Sequence, residues 1–258
     1  MTEYKGIDVS LFQGDIDWKR VKADGVEFAM LKASQGKTAD YGEPFTDPKF
    51  HQNRMGAGQA GLYWGTYHYL CAGSVIEARR EAEYYVNLVK PYYNEMKLWA
   101  AVDVEDSSYM GSLTKAQVTE IVRTFCDIVK AAGLRPMVYA NSYWLNSKFD
   151  SPAGIPIWEA NLSIDKRPDR AKIWQRSFTG RVNGIAGDVD MNLGVDVIGD
   201  ANGDGKVSTA DASLALKKAA GWKNLKIDEG QADVNDDGYV TSADASAILK
   251  KIAGWKEK

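Results

Sequence analysis

The chain has 258 residues, 45% hydrophobic and 26% charged, with a formal net charge of −3. These values exclude a mainly disordered or collagen-like chain, and there is no basic excess of the kind a nucleic-acid binder carries. No run approaches the ~20 apolar residues of a membrane span.

The first residues, Met1 to Tyr4, lack a positive stretch followed by an apolar core, so no signal peptide is read there. Eight strand candidates follow in order: Lys5–Val9, Phe28–Ala33, Leu62–Leu70, Leu98–Val104, Pro136–Ala140, Ile157–Ala160, Lys172–Gln175 and Val189–Leu193. Helical periodicity fills several gaps, notably Val75–Val89 and Lys115–Ala132, the second capped by Thr114 and stopped by Gly133. The connections Asp165–Arg170 and Thr179–Asp188 are too short for full helices. The pattern predicts an α/β fold: an eight-stranded, irregular, TIM-like β/α barrel over 1–195 whose late helices are missing. Cys71 and Cys126 each fall in an apolar segment and read as buried free thiols.

Barrel chemistry sits at the C-terminal ends of strands. Asp8 in the first strand, Asp103 and Glu105 at the end of the fourth, and Asp190 in the eighth are placed there. Residues i and i+2 of a strand share a face, so Asp103 and Glu105 can point together into the mouth. Crowded carboxylates raise at least one pKa, and a protonated acid beside an ionised one is what glycosidic cleavage needs. With only His51 and His68, no His-rich metal site can be built. Lys32, ending the second strand, could pair with an acid or hold a sugar. Tyr67, Tyr139 and Trp158 lie on strands and could stack on sugar faces or pack the core. His68, next to Tyr67, should point the other way.

The last quarter is a repeat. Residues 200–223 and 233–256 align at an offset of 33 with 16 of 24 positions identical. Asp200, Asn202, Asp204, Lys206 (through its carbonyl), Ser208 and Asp211 form the first set of candidate calcium ligands, with Gly205 at the sharp turn. Asp233, Asn235, Asp237, Tyr239, Thr241 and Asp244 form the second, with Gly238 at the turn. Each loop is followed by a helix, Ala212–Ala220 or Ala245–Ala253, and the first has no room for an incoming helix. The matching Trp222 and Trp255 are expected to pack this module. Residues 196–258 hold 11 acidic and 9 basic residues, net −2, which leaves 24 against 23, net −1, for the barrel.

Loop–helix units with Asp at position 12 resemble type I dockerins, the modules that plug enzymes into the cohesin domains of a scaffold. The resemblance implies a small all-α domain over 196–258 with two structural Ca²⁺ ions. It also implies partner selection at loop positions 10 and 11, here Thr209-Ala210 and Ser242-Ala243. The run GIDVSLFQGDIDWKRVKADGVEFAMLKASQG (6–36), with GTYHYL (65–70), AVDVED (101–106) and VDMN (189–192), resembles glycoside hydrolase family 25, the N-acetylmuramidase lysozymes. Phe12 stands where that family commonly has Trp, Gln35 where it has Glu, and PIWEANL (156–162) departs from its usual pattern.

The resemblance implies hydrolysis of the β-1,4 bond after N-acetylmuramic acid in peptidoglycan, with retention and without a catalytic cofactor. Glu105 becomes the general acid, ringed by Asp8, Asp103 and Asp190. Asp103 either attacks directly or orients the substrate's own N-acetyl oxygen, the second route being preferred. The expected protein is a secreted or scaffold-associated monomer without a membrane span, its leader trimmed or left out. The competing expectation is a barrel that binds peptidoglycan or chitin without cutting it.

Overall fold

The computed structural model describes residues 3–38, 42–195, 198–203, 207–235 and 237–255. Two compact units divide the chain, Glu3–Val195 and a smaller one from residue 196 on.

Strand alternation builds the larger unit. Strand β1 (Glu3–Val9) turns Ile7 and Val9 outward into the apolar layer beneath the helices and Asp8 inward. β2 (Phe28–Gln35), β4 (Tyr63–Tyr69), β5 (Ala100–Asp103), β6 (Pro136–Asn141), β7 (Ile157–Ala160) and β8 (Ala171–Gly180) continue in parallel around the barrel. A short strand, β3 (Phe45–Thr46), hangs antiparallel on the end of β2. β9 (Val189–Val195) closes the ring between β8 and β1, and it runs antiparallel to both.

That reversal corrects the expectation for Asp190. The residue lies at the start of its strand, not at a C-terminal end, and reaches the same mouth because the strand runs backwards. Its register partner is Asp8. The connection before it, 181–188, suits a hairpin rather than a crossover, which needs a dozen or more residues.

Helices α1 (Trp18–Ala23), α2 (Phe50–Gln59), α3 (Val75–Val89), α4 (Ser107–Met110), α5 (Lys115–Ala131) and α6 (Ser142–Ser147) surround the early strands. The Thr114 side chain accepts from the Gln117 amide in a capping box at the start of α5, and Gly133 (φ 85°) ends it. Val118, Ile121, Val122, Phe125 and Cys126 of α5 are buried against the barrel layer. No helix lies between β7 and β8 or between β8 and β9, as the short connections required. Cys71 and Cys126 are buried free thiols.

Two local devices shape the interior. Gly6 faces inward where an added Cβ would stand 2.1 Å from the Phe28 ring, so only glycine lets that ring close the barrel floor. A register shift between Lys32 and Ser34 puts a bulge in β2. Without it, the two would share a face. With it, Lys32 turns to the mouth beside Tyr67, while Ser34 turns outward and bonds His68 Nδ1 at 2.8 Å. The other ring nitrogen of His68 meets Glu81 of α3 at 2.9 Å, so His68 belongs to the packing between barrel and helices.

In the smaller unit, α7 (Thr209–Ala219) and α9 (Ser242–Ile252) pack through Ala212, Ala215, Ala245 and Ile248, with Val207, Val234 and Val240 at the edges. Both helices begin with capping boxes, Ser208 with Asp211 and Thr241 with Asp244. A four-residue helix, α8 (Glu229–Ala232), precedes the second loop, an element that the repeat pattern did not announce. Trp222 and Trp255 are 60% and 69% exposed, which overturns the expectation that they pack the module: the Gly-Trp ends turn outward after Gly221 and Gly254, both at positive φ.

Candidate active site

Inward-facing positions at the top of β1, β2, β4, β5, β6, β7, β8 and β9 meet in one cavity of about 210 Å³. Its lining includes Asp8, Asp103, Glu105 and Asp190 together with Lys32, Tyr67, Tyr139 and Trp158. Asp103 is the last residue of β5, and Glu105 stands two residues beyond it, so the strand delivers the first and the following loop the second. Phe12, on the 3-10 turn Leu11–Gln13 after β1, stands 80% exposed among the lining residues. The side chain of Asp47 accepts from the backbone N–H groups of Leu11 and Lys49, at 3.0 and 2.8 Å, and so ties that turn down.

The aromatic residues differ in what they can offer. Trp158 is 1% exposed; its indole N–H donates to Asn192 Oδ1 at 2.8 Å, and its ring packs edge-on to Tyr67 and Tyr139. It therefore presents no open face for a sugar and acts as the floor of the cavity. Tyr139 donates its hydroxyl to Gln175 Oε1 at 2.7 Å. Gln175 and Asn192, both buried, are site residues that sequence reasoning missed. The alternation that selected Asp190 also selects Asn192, two residues on and on the same face.

Burial and mutual repulsion govern the acids. Burial, then the charge of Asp190, pushes Asp8 up to about 8, against hydrogen bonds from Asn192 and Gln175. Burial pushes Asp190 up to about 6, while its hydrogen bond with Asp8 pulls the other way. Burial raises Asp103 well above the carboxylate range, with Glu105 adding to the effect. Glu105 is raised by burial and then by Asp190. Lys32 counters both Asp103 and Glu105, and burial in turn lowers its own pKa. Asp103 Oδ1 is enclosed and has no hydrogen-bond partner among the described residues. This arrangement stores protons at neutral pH and can deliver one to a leaving oxygen.

In the smaller unit, Asp204 and Lys206 lie outside the described residues. The remaining candidate ligands present oxygen, which suits a hard cation such as Ca²⁺. Asp200, Asp211, Asp233 and Asp244 are buried. Asp233 accepts from the amides of Asp237 and Gly238, and Asp237 Oδ1 from that of Tyr239, so the second loop wraps its backbone around its carboxylates. Asn202 and Asn235 each donate a backbone N–H to the position-12 aspartate, Asp211 or Asp244. Ser208 and Thr241 spend their hydroxyls on helix caps and on those same aspartates. Among the described residues, no three His, Cys, Asp or Glu side chains are gathered as they would be around an ion. Thr209, Ala210, Ser242 and Ala243 are exposed on the first turns of α7 and α9.

A closed barrel with four acids at its mouth, joined to a pair of acidic loop–helix units, defines a modular carbohydrate-active protein. The chain belongs to glycosyl hydrolases family 25, whose family profile matches residues 7–185. Residues 198–253 match the dockerin type I domain, which generally binds calcium. The chain is 33% identical over 191 residues to an autolytic lysozyme of Clostridium acetobutylicum, covering 73% of this chain and 55% of that protein. It is 29% identical over 202 residues to lysozyme M1 of Streptomyces globisporus, covering 73% and 66% respectively. The matched region thus spans less than two thirds of either relative. Among solved structures, a bacterial lysozyme from Streptomyces coelicolor superposes with a TM-score of 0.61 at 26% identity, over 76% of this chain and 94% of that one.

Proposed function

We propose that this protein is a lysozyme that hydrolyses the β-1,4 bond after N-acetylmuramic acid in bacterial peptidoglycan. The observation that carries the reading is the convergence of Asp8, Asp103, Glu105 and Asp190 on one cavity, where burial raises all four pKa values.

Glu105 is the least enclosed of the Asp103–Glu105 pair and faces the cavity beyond the strand end, so it is the proton donor to the glycosidic oxygen. As that bond breaks, the N-acetyl oxygen of the muramic acid attacks the anomeric carbon and forms a cyclic intermediate. Asp103 orients the acetamido group. Asp103 and Glu105 stand two residues apart at one strand end, a pairing that resembles the substrate-assisted hydrolases and supports this route over direct attack by Asp103. Water, deprotonated by Glu105, then opens the ring, so configuration is retained over the two displacements. Lys32 tempers the negative potential, and Phe12 offers an apolar face at the rim.

The dockerin carries two structural calcium ions, held by Asp200, Asn202 and Asp211 in the first loop and by Asp233, Asn235, Asp237 and Asp244 in the second. It tethers the enzyme, outside the cell and as a monomer, to a cohesin-bearing scaffold through the exposed first turns of α7 and α9. The barrel's near-zero net charge gives it little long-range attraction to polyanionic walls, so tethering supplies proximity instead.

Digestion of purified walls, followed by mass spectrometry of the products, tests the activity. New reducing ends should be muramic acid, and Glu105→Gln should lower kcat by about 10²–10⁴-fold. Reducing ends of glucosamine, or no digestion by the wild type, would refute the reading.

A further inference from the structure

The two amides missed by sequence reasoning have a fixed orientation. An indole N–H can only donate. The atom of Asn192 that meets Trp158 at 2.8 Å is therefore its oxygen, and its NH₂ group must face Asp8, where it donates to Oδ2 at 2.7 Å. Gln175 is held in the same way. Its oxygen takes the Tyr139 hydroxyl at 2.7 Å, and its NH₂ group donates to Asp8 Oδ2 at 2.8 Å and to Asp190 Oδ2 at 3.2 Å. Both amides are almost wholly enclosed, 2% exposed for Gln175 and 1% for Asn192, so water does not compete for these bonds.

From this geometry we infer that Gln175 and Asn192 are positioning residues of the reaction, locked by Tyr139 and Trp158 so that both donate to one oxygen of Asp8. This leaves the other oxygen of Asp8 to share a single proton with Asp190. The pair then shows one negative charge to Glu105 and helps it to keep its own proton. The inference builds on the proposed hydrolysis but concerns the protonation of the mouth.

Asp8 is faced by Asp190 from β9, Asp103 from β5, Tyr67 from β4 and Tyr139 from β6, with Glu105 and Lys32 lining the same cavity. Of these groups only Lys32 is cationic, so the amides supply the nearest donors to the buried carboxylate. The sign of their effect follows. Each N–H favours the charged form, so deleting one makes the pair bind protons more tightly.

The test compares wild type with Gln175→Ala, Asn192→Ala and Tyr139→Phe in two readouts, the pH profile of wall digestion and the pH dependence of the barrel's Tm. The Tm readout needs no substrate. Gln175→Ala and Asn192→Ala should shift both curves to higher pH by about one unit, a tenfold change in proton affinity, and lower kcat more than they raise KM. Tyr139→Phe keeps the fold, frees the Gln175 amide and should shift the curves in the same direction by less. Curves unmoved in all three variants, or a kcat loss equal at every pH, would overturn the inference. Inactivity of the wild type with shifted Tm curves would overturn the lysozyme reading instead.

Discussion

Two buried aspartates, one in each unit, behave in opposite ways. Asp8, in the barrel, is 7% exposed and holds its proton up to about pH 8. Asp244, in the second loop of the dockerin, is 0% exposed, yet its carboxyl sits below the ordinary range. Burial opposes ionisation in both. Around Asp244, backbone N–H groups of Thr241, Asn235 and Val234 outweigh burial. Around Asp8, the strongest neighbour is another carboxylate. The surroundings, not the degree of burial, decide whether an aspartate becomes a reservoir of protons or a fixed anion fit for a cation. In the proposed function, the barrel uses the first for acid catalysis and the loops use the second to hold calcium.

This contrast can be broken most forcefully from the dockerin side. Metal binding to such small modules is folding free energy. Chelation of the full chain should therefore melt α7 and α9, seen as a loss of far-UV helical signal, while wall digestion by the barrel persists. Asp244→Ala should mimic chelation in the second repeat, because it removes a proposed ligand and a capping-box partner together. An unchanged spectrum in excess chelator would mean that the loop carboxylates are satisfied by the backbone alone.

A smaller effect sharpens the barrel side. Because the folded-state pKa of Asp8 is raised, its contribution to stability is fully present below the unfolded value of 3.8 and is lost as pH rises towards about 8. Asp244 has the opposite sign: its contribution is present above the unfolded value and is lost as pH falls through its lowered one. Asp8→Asn copies the protonated carboxyl, accepting from Gln175 and Asn192 and donating to Asp190. Calorimetry should show its barrel transition raised by about 3 °C or more at pH 8.5, and unchanged near pH 4. A lower Tm at both pH values would show that Asp8 is not strained by ionisation.

Much of the barrel was legible because burial leaves a period of two. All eight barrel strands, the α3 and α5 helices and the four acids follow from alternation, caps and strand ends. Strand direction leaves no such mark. The reversal of β9 could have been read only from the eight residues of 181–188, too few for a crossover. The bulge in β2 was hidden too, since KAS reads as unbroken alternation until Ser34 is found on the side of His68. Gln175 was overlooked because an amide has no charge to draw attention. Its importance comes from what it joins, and that depends on three strands distant in sequence. In the dockerin, near-identity of the repeats marked the candidate ligands, but not α8 or the outward turn of Trp222 and Trp255.

The contrast itself can be observed directly by carbon-13 NMR titration of the aspartate carboxyls in the full chain, with Asp8 and Asp244 assigned by substitution. The account predicts that Asp8 titrates near 8 and Asp244 below the usual carboxylate range. Two ordinary titrations near pH 4 would contradict it.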